Sequence, residues 1–149
     1  MNYLKVFVLS AMPIVEIRGG LPLGMYLGLS RWEALFVSVL GNIAIIFPLL
    51  WVLTRIEKVL AMNKYVRRVY DRMVRKAEGK RESFRRFGKY ALFLFVAIPL
   101  PTTGAWTACV AARLFKIPDR EAFVIITLGV IASGLLVMAK VVTITGLAM

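Results

Sequence analysis

Apolar residues in this chain fall into runs of unequal length, separated by short polar breaks. Tyr3 to Val15 is an apolar arm of thirteen residues carrying one charge, Lys5. At 1.5 Å per residue it reaches about 20 Å, short of the ~30 Å hydrocarbon core of a bilayer. Pro13 weakens helix continuity near its end. The polar stretch Glu16-Ile17-Arg18-Gly19-Gly20-Leu21-Pro22 follows, and Leu21 to Leu29 is again apolar and too short to span. Two short arms around a polar, Gly/Pro-containing turn predict a re-entrant hairpin, with a discontinuous spanning helix as the alternative. Either leaves backbone groups at the break that must be buried in protein or face a cavity.

Trp32 to Thr54 is long enough to cross a bilayer, with Ser30 as its cap, Glu33 in its first turn and Trp32 and Trp51 placed as interfacial anchors. Pro48 is expected to kink it, and Asn42 to bond across to another helix. The pattern then repeats. Tyr90 to Pro99 is a short arm, Pro99-Leu100-Pro101-Thr102-Thr103-Gly104 a turn, and Ala105 to Phe115 a second arm. Pro118 and Asp119 open a long last helix that runs from about Glu121 past Lys140.

The two halves share some residues as well as their order. Ala11-Met12-Pro13 matches Ala97-Ile98-Pro99, Glu33-Ala34-Leu35 matches Glu121-Ala122-Phe123, and Leu40-Gly41 matches Leu128-Gly129. The separation drifts from 86 to 88 residues, so a short insertion lies between the matches.

Composition and charge turn this pattern into a topology. The chain has 149 residues, is 60% hydrophobic and has a mean hydropathy of +0.76, which points to a polytopic membrane protein. Its net charge is +12. Between Arg55 and Lys89 stand thirteen Lys/Arg against four acids, so 13 − 4 = +9 of that total lies in one loop. By the positive-inside rule the loop is cytoplasmic. Apolar residues within it recur at helical spacing, predicting an amphipathic helix on the inner leaflet. Arg67, Arg68, Arg72 and Arg75 on it would meet anionic lipid. Block charge of this kind is read as a topology signal, and nucleic acid is not expected as a partner. With the loop inside, the first hairpin opens outward and the second inward, so the two halves are inverted.

The expected architecture is an all-α integral membrane protein of two inverted repeats, 1–55 and 90–149. Each is a re-entrant (broken) helical hairpin plus a long transmembrane helix, and a basic cytoplasmic helix, 56–89, joins them. Inverted repeats with broken elements place a transporter's site where the repeats meet.

Chemistry narrows the site. The chain has no histidine and one cysteine, Cys109, which excludes an internal disulfide and argues against zinc. Without an activated nucleophile or paired carboxylates, an enzyme is not expected, and no cofactor is implied. Glu16 and Arg18 are the distinctive pair, because a charge at membrane depth costs at least ~2.5–3.5 kcal/mol and usually faces a wet cavity or a bundle interior. Glu16 is the candidate proton site. Arg18 is a candidate to hold a phosphate or carboxylate bidentately. Gly19, Gly20 and Gly104 could let backbone N–H groups approach an anion, and ordinary turn or helix-packing duty is an equal reading of them. Thr102, Thr103 and Thr107 supply hydroxyls. Pro22, Pro99 and Pro101 shape the turns, and Trp106 is a packing or anchoring residue.

The motif Glu16-Ile17-Arg18-Gly19-Gly20-Leu21-Pro22, together with Ile98-Pro99-Leu100-Pro101-Thr102-Thr103-Gly104-Ala105-Trp106-Thr107, resembles the small multi-drug export protein family over nearly the whole chain. That family is similar to the wider DedA/VTT group of membrane proteins. The resemblance implies opposed re-entrant hairpins in a bacterial or archaeal plasma membrane, and an activity in lipid flipping or proton-dependent transport. It also implies a counterpart of that group's arginine at Arg113. Thr102 stands where the family's second motif often has glycine. The expected function is a transporter or lipid flippase/scramblase moving an anionic lipid or small molecule, with a homo-oligomer plausible. The rival is a non-transporting assembly or partner-binding protein.

Overall fold

In the computed structural model, residues 1–146 are described except 66, 69, 70, 73–80 and 100–103, and the side chains at 61, 81–86 and 114 are not described. Among the described residues there are six helices: α1 (Asn2–Ala11), α2 (Glu16–Tyr26), α3 (Arg31–Ala61), α4 (Arg81–Ala97), α5 (Ala105–Leu114) and α6 (Asp119–Thr145). Two of them, α3 and α6, are long and apolar enough to cross a membrane. At 1.5 Å per residue α1, α2 and α5 are only about 15–17 Å long.

Local chemistry sets the helix ends. Pro13 disfavours helical geometry at the preceding residue, and Met12 is extended with ψ 144°. Helix α3 starts at a full capping box: Ser30 Oγ accepts the Glu33 N–H at 3.3 Å, and the Glu33 carboxylate accepts the Ser30 N–H at 2.9 Å. It continues through Pro48 to Ala61. Asn42 does not bond across to another helix; its Nδ2 donates to the Ser38 carbonyl one turn back, at 3.2 Å.

The motif Glu16–Pro22 is not the turn that its glycines suggested. The turn is 12–15, and the motif is the first two turns of α2, with Pro22 inside the helix. Tertiary contact overrides the poor helix propensity of glycine here. A Cβ at Gly20 would run into Ser10 of α1, and one at Gly24 would lie 2.9 Å from the Ala34 Cβ of α3. The glycines let three helices cross closely. Gly88 likewise lies inside a helix, α4. The expected basic helix over 56–89 is not one element among the described residues: 56–61 belong to α3, 62 and 63 are non-helical and 81–89 belong to α4, while 66, 69, 70 and 73–80 lie outside the described residues. Arg67, Arg68 and Arg72 are exposed, and Arg75 is not described.

The same contacts recur along the chain at two fixed separations. Helix α2 ends with N–H bonds from Leu27 to Leu23, Gly28 to Met25 and Leu29 to Gly24; α5 ends with Phe115 to Ala111, Lys116 to Arg113 and Ile117 to Ala112, each 88 residues on. Both ends form a Schellman closure, with Gly28 at φ 89° and Lys116 at φ 53° in the left-handed position. A Cβ at Gly41 of α3 would crowd the Phe7 carbonyl and Ser10 of α1. One at Gly129 of α6, 88 residues on, would crowd the Phe93 carbonyl and Val96 of α4, 86 residues on from Phe7 and Ser10. Tyr3 Oη donates to Glu33 at 3.0 Å, and Lys89 Nζ pairs with Glu121 at 2.5 Å, with the same two separations.

Helices α1 and α2 pack on the first part of α3, and α4 and α5 on α6. The halves then cross over, with α2 against α6, α5 against α3, and α3 against α6. The core is made where they cross, from Val6, Leu21, Ile46, Val96, Ala108 and Ile126 among others.

The glycine crossings give a stability prediction. Gly41→Ala is expected to cost about 1–3 kcal/mol by overpacking. Gly88→Ala, with open space around its Cβ, is expected to be neutral or to stabilise by up to ~1 kcal/mol. Thermal unfolding of the purified variants in one detergent checks both.

Candidate functional site

Glu16 is the most buried charged residue described, at 6% exposure. It opens α2 with φ 47°, a left-handed conformation that a non-glycine residue adopts at a cost of order 1–3 kcal/mol. That backbone carries its side chain across to the other half. The carboxylate sits at the amino terminus of α5, where Oε1 accepts the Trp106 N–H at 3.5 Å. The first N–H groups of a helix have no partner within it, and the helix dipole places positive charge at that end. Glu16 therefore supplies from α2 the anionic cap that α5 lacks in its own sequence.

Gly104, which precedes α5, makes this possible. A Cβ there would overlap the Glu16 carboxylate. Its backbone is extended, with φ 171°, so the need for glycine is one of space and not of conformation. A second bond ties the two halves at the same place: Trp106 Nε1 donates to the Ala11 carbonyl, at the end of α1, at 3.1 Å.

Beneath the carboxylate lies a cavity of about 10 Å³, lined by Glu16, Ile17 and Arg18 of α2, Asn42 of α3, Val96 of α4, Gly104 and Ala105 beside α5, and Val130 and Ser133 of α6. It has room for about one water molecule. Asn42 lies eleven residues into α3, about 16 Å along it, and Val130 likewise lies eleven residues into α6. The cavity thus lies a little over a third of the way along α3 and about two-fifths of the way along α6. A wider cleft of about 690 Å³ runs along α3 past Trp32, Phe36, Leu40 and Ile131, but apart from Glu33 at one end its lining is apolar.

The structure brings together Glu16, Arg18, Gly104 and Trp106. It leaves the others elsewhere. Gly19 and Gly20 face Val15 and Ser10. Pro22 lies one and a half turns beyond Glu16 in α2, and Pro99 is half-buried ahead of the second turn. Thr107 is exposed. Pro101, Thr102 and Thr103 lie outside the described residues.

Arg113 stands eight residues beyond Ala105, about 12 Å up α5. It is held by two acids: Nη2 contacts Glu57 of α3 at 2.5 Å, and Nη1 contacts Asp119 of α6 at 2.7 Å. This latch joins three helices and was not readable from the sequence, because Glu57 and Arg113 are 56 residues apart. Arg113→Lys is expected to lose most of the stability that Arg113→Ala loses, about 1–3 kcal/mol, since an ammonium cannot reach both acids with a planar fork. Melting temperatures of the two variants test this. Among the described residues no group of three or more His, Cys, Asp or Glu could hold a metal ion.

The model of the small multi-drug export protein family matches residues 16–136, from the buried acid to well into the last helix. No curated protein and no solved structure matches the chain significantly.

Proposed function

The chain belongs to the small multi-drug export protein family, and from that premise we propose that it is a membrane transporter whose cargo passes through the Glu16–Arg18 site. The observation that carries this reading is the seating of a buried carboxylate from one half of the chain on a helix end of the other, beside a small polar cavity. A charge at that depth is costly, and a purely structural cap could be had from a neutral residue such as serine or asparagine.

The architecture we infer is a pair of inverted repeats with re-entrant hairpins. Three sets of contacts support the repeat: the Schellman closures, at a separation of 88 residues, and the glycine crossings and the Tyr3–Glu33 and Lys89–Glu121 pairs, at separations of 86 and 88. The first hairpin's outer ends lie together, since Asn2 Nδ2 donates to the Leu27 carbonyl at 3.2 Å. Trp32 and Trp51, both more than half exposed, are nineteen residues or about 28 Å apart along α3, the spacing of two membrane interfaces. The +9 segment 55–89, which begins in the last turns of α3 and ends within α4, is cytoplasmic in this scheme, which puts the first hairpin on the outer side of a plasma membrane and the second on the inner side. The exposed Arg67, Arg68 and Arg72 then face anionic lipid.

Lipid flipping of the DedA type is the form of transport we favour, with an anionic headgroup as cargo. A cavity of about 10 Å³ admits no headgroup, so the arrangement seen is an occluded one, and the hairpins must part for cargo to enter. The test is translocation of labelled anionic and zwitterionic lipids, and efflux of soluble anions and cations, in liposomes carrying the purified protein. Movement that Arg18→Ala abolishes is expected. Absence of movement for every cargo would overturn the proposal in favour of an assembly or partner-binding role.

A further inference from the structure

We propose that the amino terminus of α5 is a site for a monovalent oxyanion, and that Glu16 is its tethered occupant, leaving only when it takes up a proton. The inference rests on the reading of this place as the transport site and names its cargo chemistry and its coupling.

The carboxylate already sits where an external anion would. It accepts the Trp106 N–H, it fills the space beside Gly104 that any Cβ would take, and it is sealed from solvent. A helix end with Arg18 alongside suits an oxyanion of any origin. While Glu16 occupies that end, the remaining space holds about one water, so cargo and carboxylate are mutually exclusive. The occupant is also held by a strained backbone, φ 47°, which favours its release once its attraction to the helix end is removed.

The separation of 88 residues adds a second line. It makes Gly104 the counterpart of Glu16, and these two counterparts touch each other. One half supplies the acid, and the other supplies the vacancy and the N–H groups. Two acids at these positions would repel, so the asymmetry makes a site for one negative charge.

The charges balance. A proton joins a Glu16 carboxylate oxygen, the carboxyl leaves the helix end, and a monoanion replaces it. The site's charge is unchanged, and one proton moves with one anion. The other titratable groups facing that carboxylate are Arg18 on α2 and the buried Cys109 thiol on α5. Helices α3, α4 and α6 present the neutral Asn42, Val96, Val130 and Ser133.

The experiment measures binding and needs no transport. Dimethyl phosphate is a monoanion throughout pH 5–8, so the probe itself does not titrate. Its binding is followed by the emission of Trp106, in a Trp32→Phe, Trp51→Phe background, with the protein in nanodiscs of phosphatidylcholine. A second arm replaces 20% of that lipid by phosphatidylglycerol, with no soluble anion, to separate a lipid phosphodiester from a free one. At least tenfold tighter binding at pH 5.5 than at pH 7.5 is expected. Glu16→Gln should bind at both pH values as tightly as the parent does at pH 5.5, and Arg18→Ala should bind weakly at both. No binding in either arm, or weaker binding by Glu16→Gln than by the parent, would overturn the proposal. A cooperative thermal transition in each ligand-free variant confirms that it is folded. Binding as expected without translocation in liposomes would sink the transport reading alone; translocation without this binding would sink the oxyanion site alone.

Discussion

Glu16→Gln is expected to lower the transport rate at least tenfold at neutral pH and to remove its dependence on pH, while leaving the fold intact. The amide keeps the size of the side chain, so it can swing off the helix end as the protonated carboxyl does without a change in packed volume. It cannot carry the charge that the α5 amino terminus attracts. Hydrogen bonds to a charged group contribute about 1.5–3 kcal/mol, and a change of 1.4 kcal/mol is tenfold in an equilibrium between closed and open hairpins. Stability should change less, because the lost attraction is offset by no longer burying a charge. Initial rates in liposomes at pH 6, 7 and 8, beside thermal unfolding, measure both. A variant with the parent's rate and pH profile would remove Glu16 from the mechanism.

Gly104→Ala is expected to displace the Glu16 carboxylate from the α5 amino terminus. The added carbon collides with the carboxylate itself, Cδ and Oε1 both lying at 2.5 Å from its ideal position. Either the carboxylate leaves the helix end or the two halves separate there. The stability cost should be about 1–3 kcal/mol, with transport reduced as far as in Glu16→Gln. The cause is separable by a double-mutant cycle. In a Glu16→Ala background the space is empty, and Gly104→Ala should cost far less. A coupling of about 1–3 kcal/mol between the two positions is expected in unfolding measurements. Additive costs would mean that Gly104 matters for a reason other than Glu16.

These expectations show where the sequence was informative. The start of helix α3 could be read from Ser30 and Glu33, whose capping signals are local, but the helix runs seven residues past the expected end at Thr54 and Asn42 bonds within it. The drift from 86 to 88 residues was also legible, and it corresponds to two separations between contacts: 86 for the counterparts in α1 and α4, 88 for those in the helices that follow each turn. The start of α2 was misjudged, since glycine serves equally as a turn residue and as a gap that lets helices approach. Only the positions of Ser10, Val15 and Ala34 decide which role Gly19, Gly20 and Gly24 play. The pairing of Glu16 with α5 links residues ninety apart, and that of Arg113 with Glu57 depends on helix phase. Neither leaves a mark in local spacing.

In the proposed architecture two opposed hairpins each return to the side they came from, and accessibility to a membrane-impermeant thiol reagent tests that most directly. In a Cys109→Ala background, single cysteines are placed after Met1, at Tyr26 and at Arg120, and labelled in intact and permeabilised cells. The cysteine after Met1 and the one at Tyr26 should both react from outside, and the one at Arg120 only after permeabilisation. Opposite sides for the first two would make α1 and α2 a single broken span, and the same side for Tyr26 and Arg120 would contradict the inversion on which the site is built.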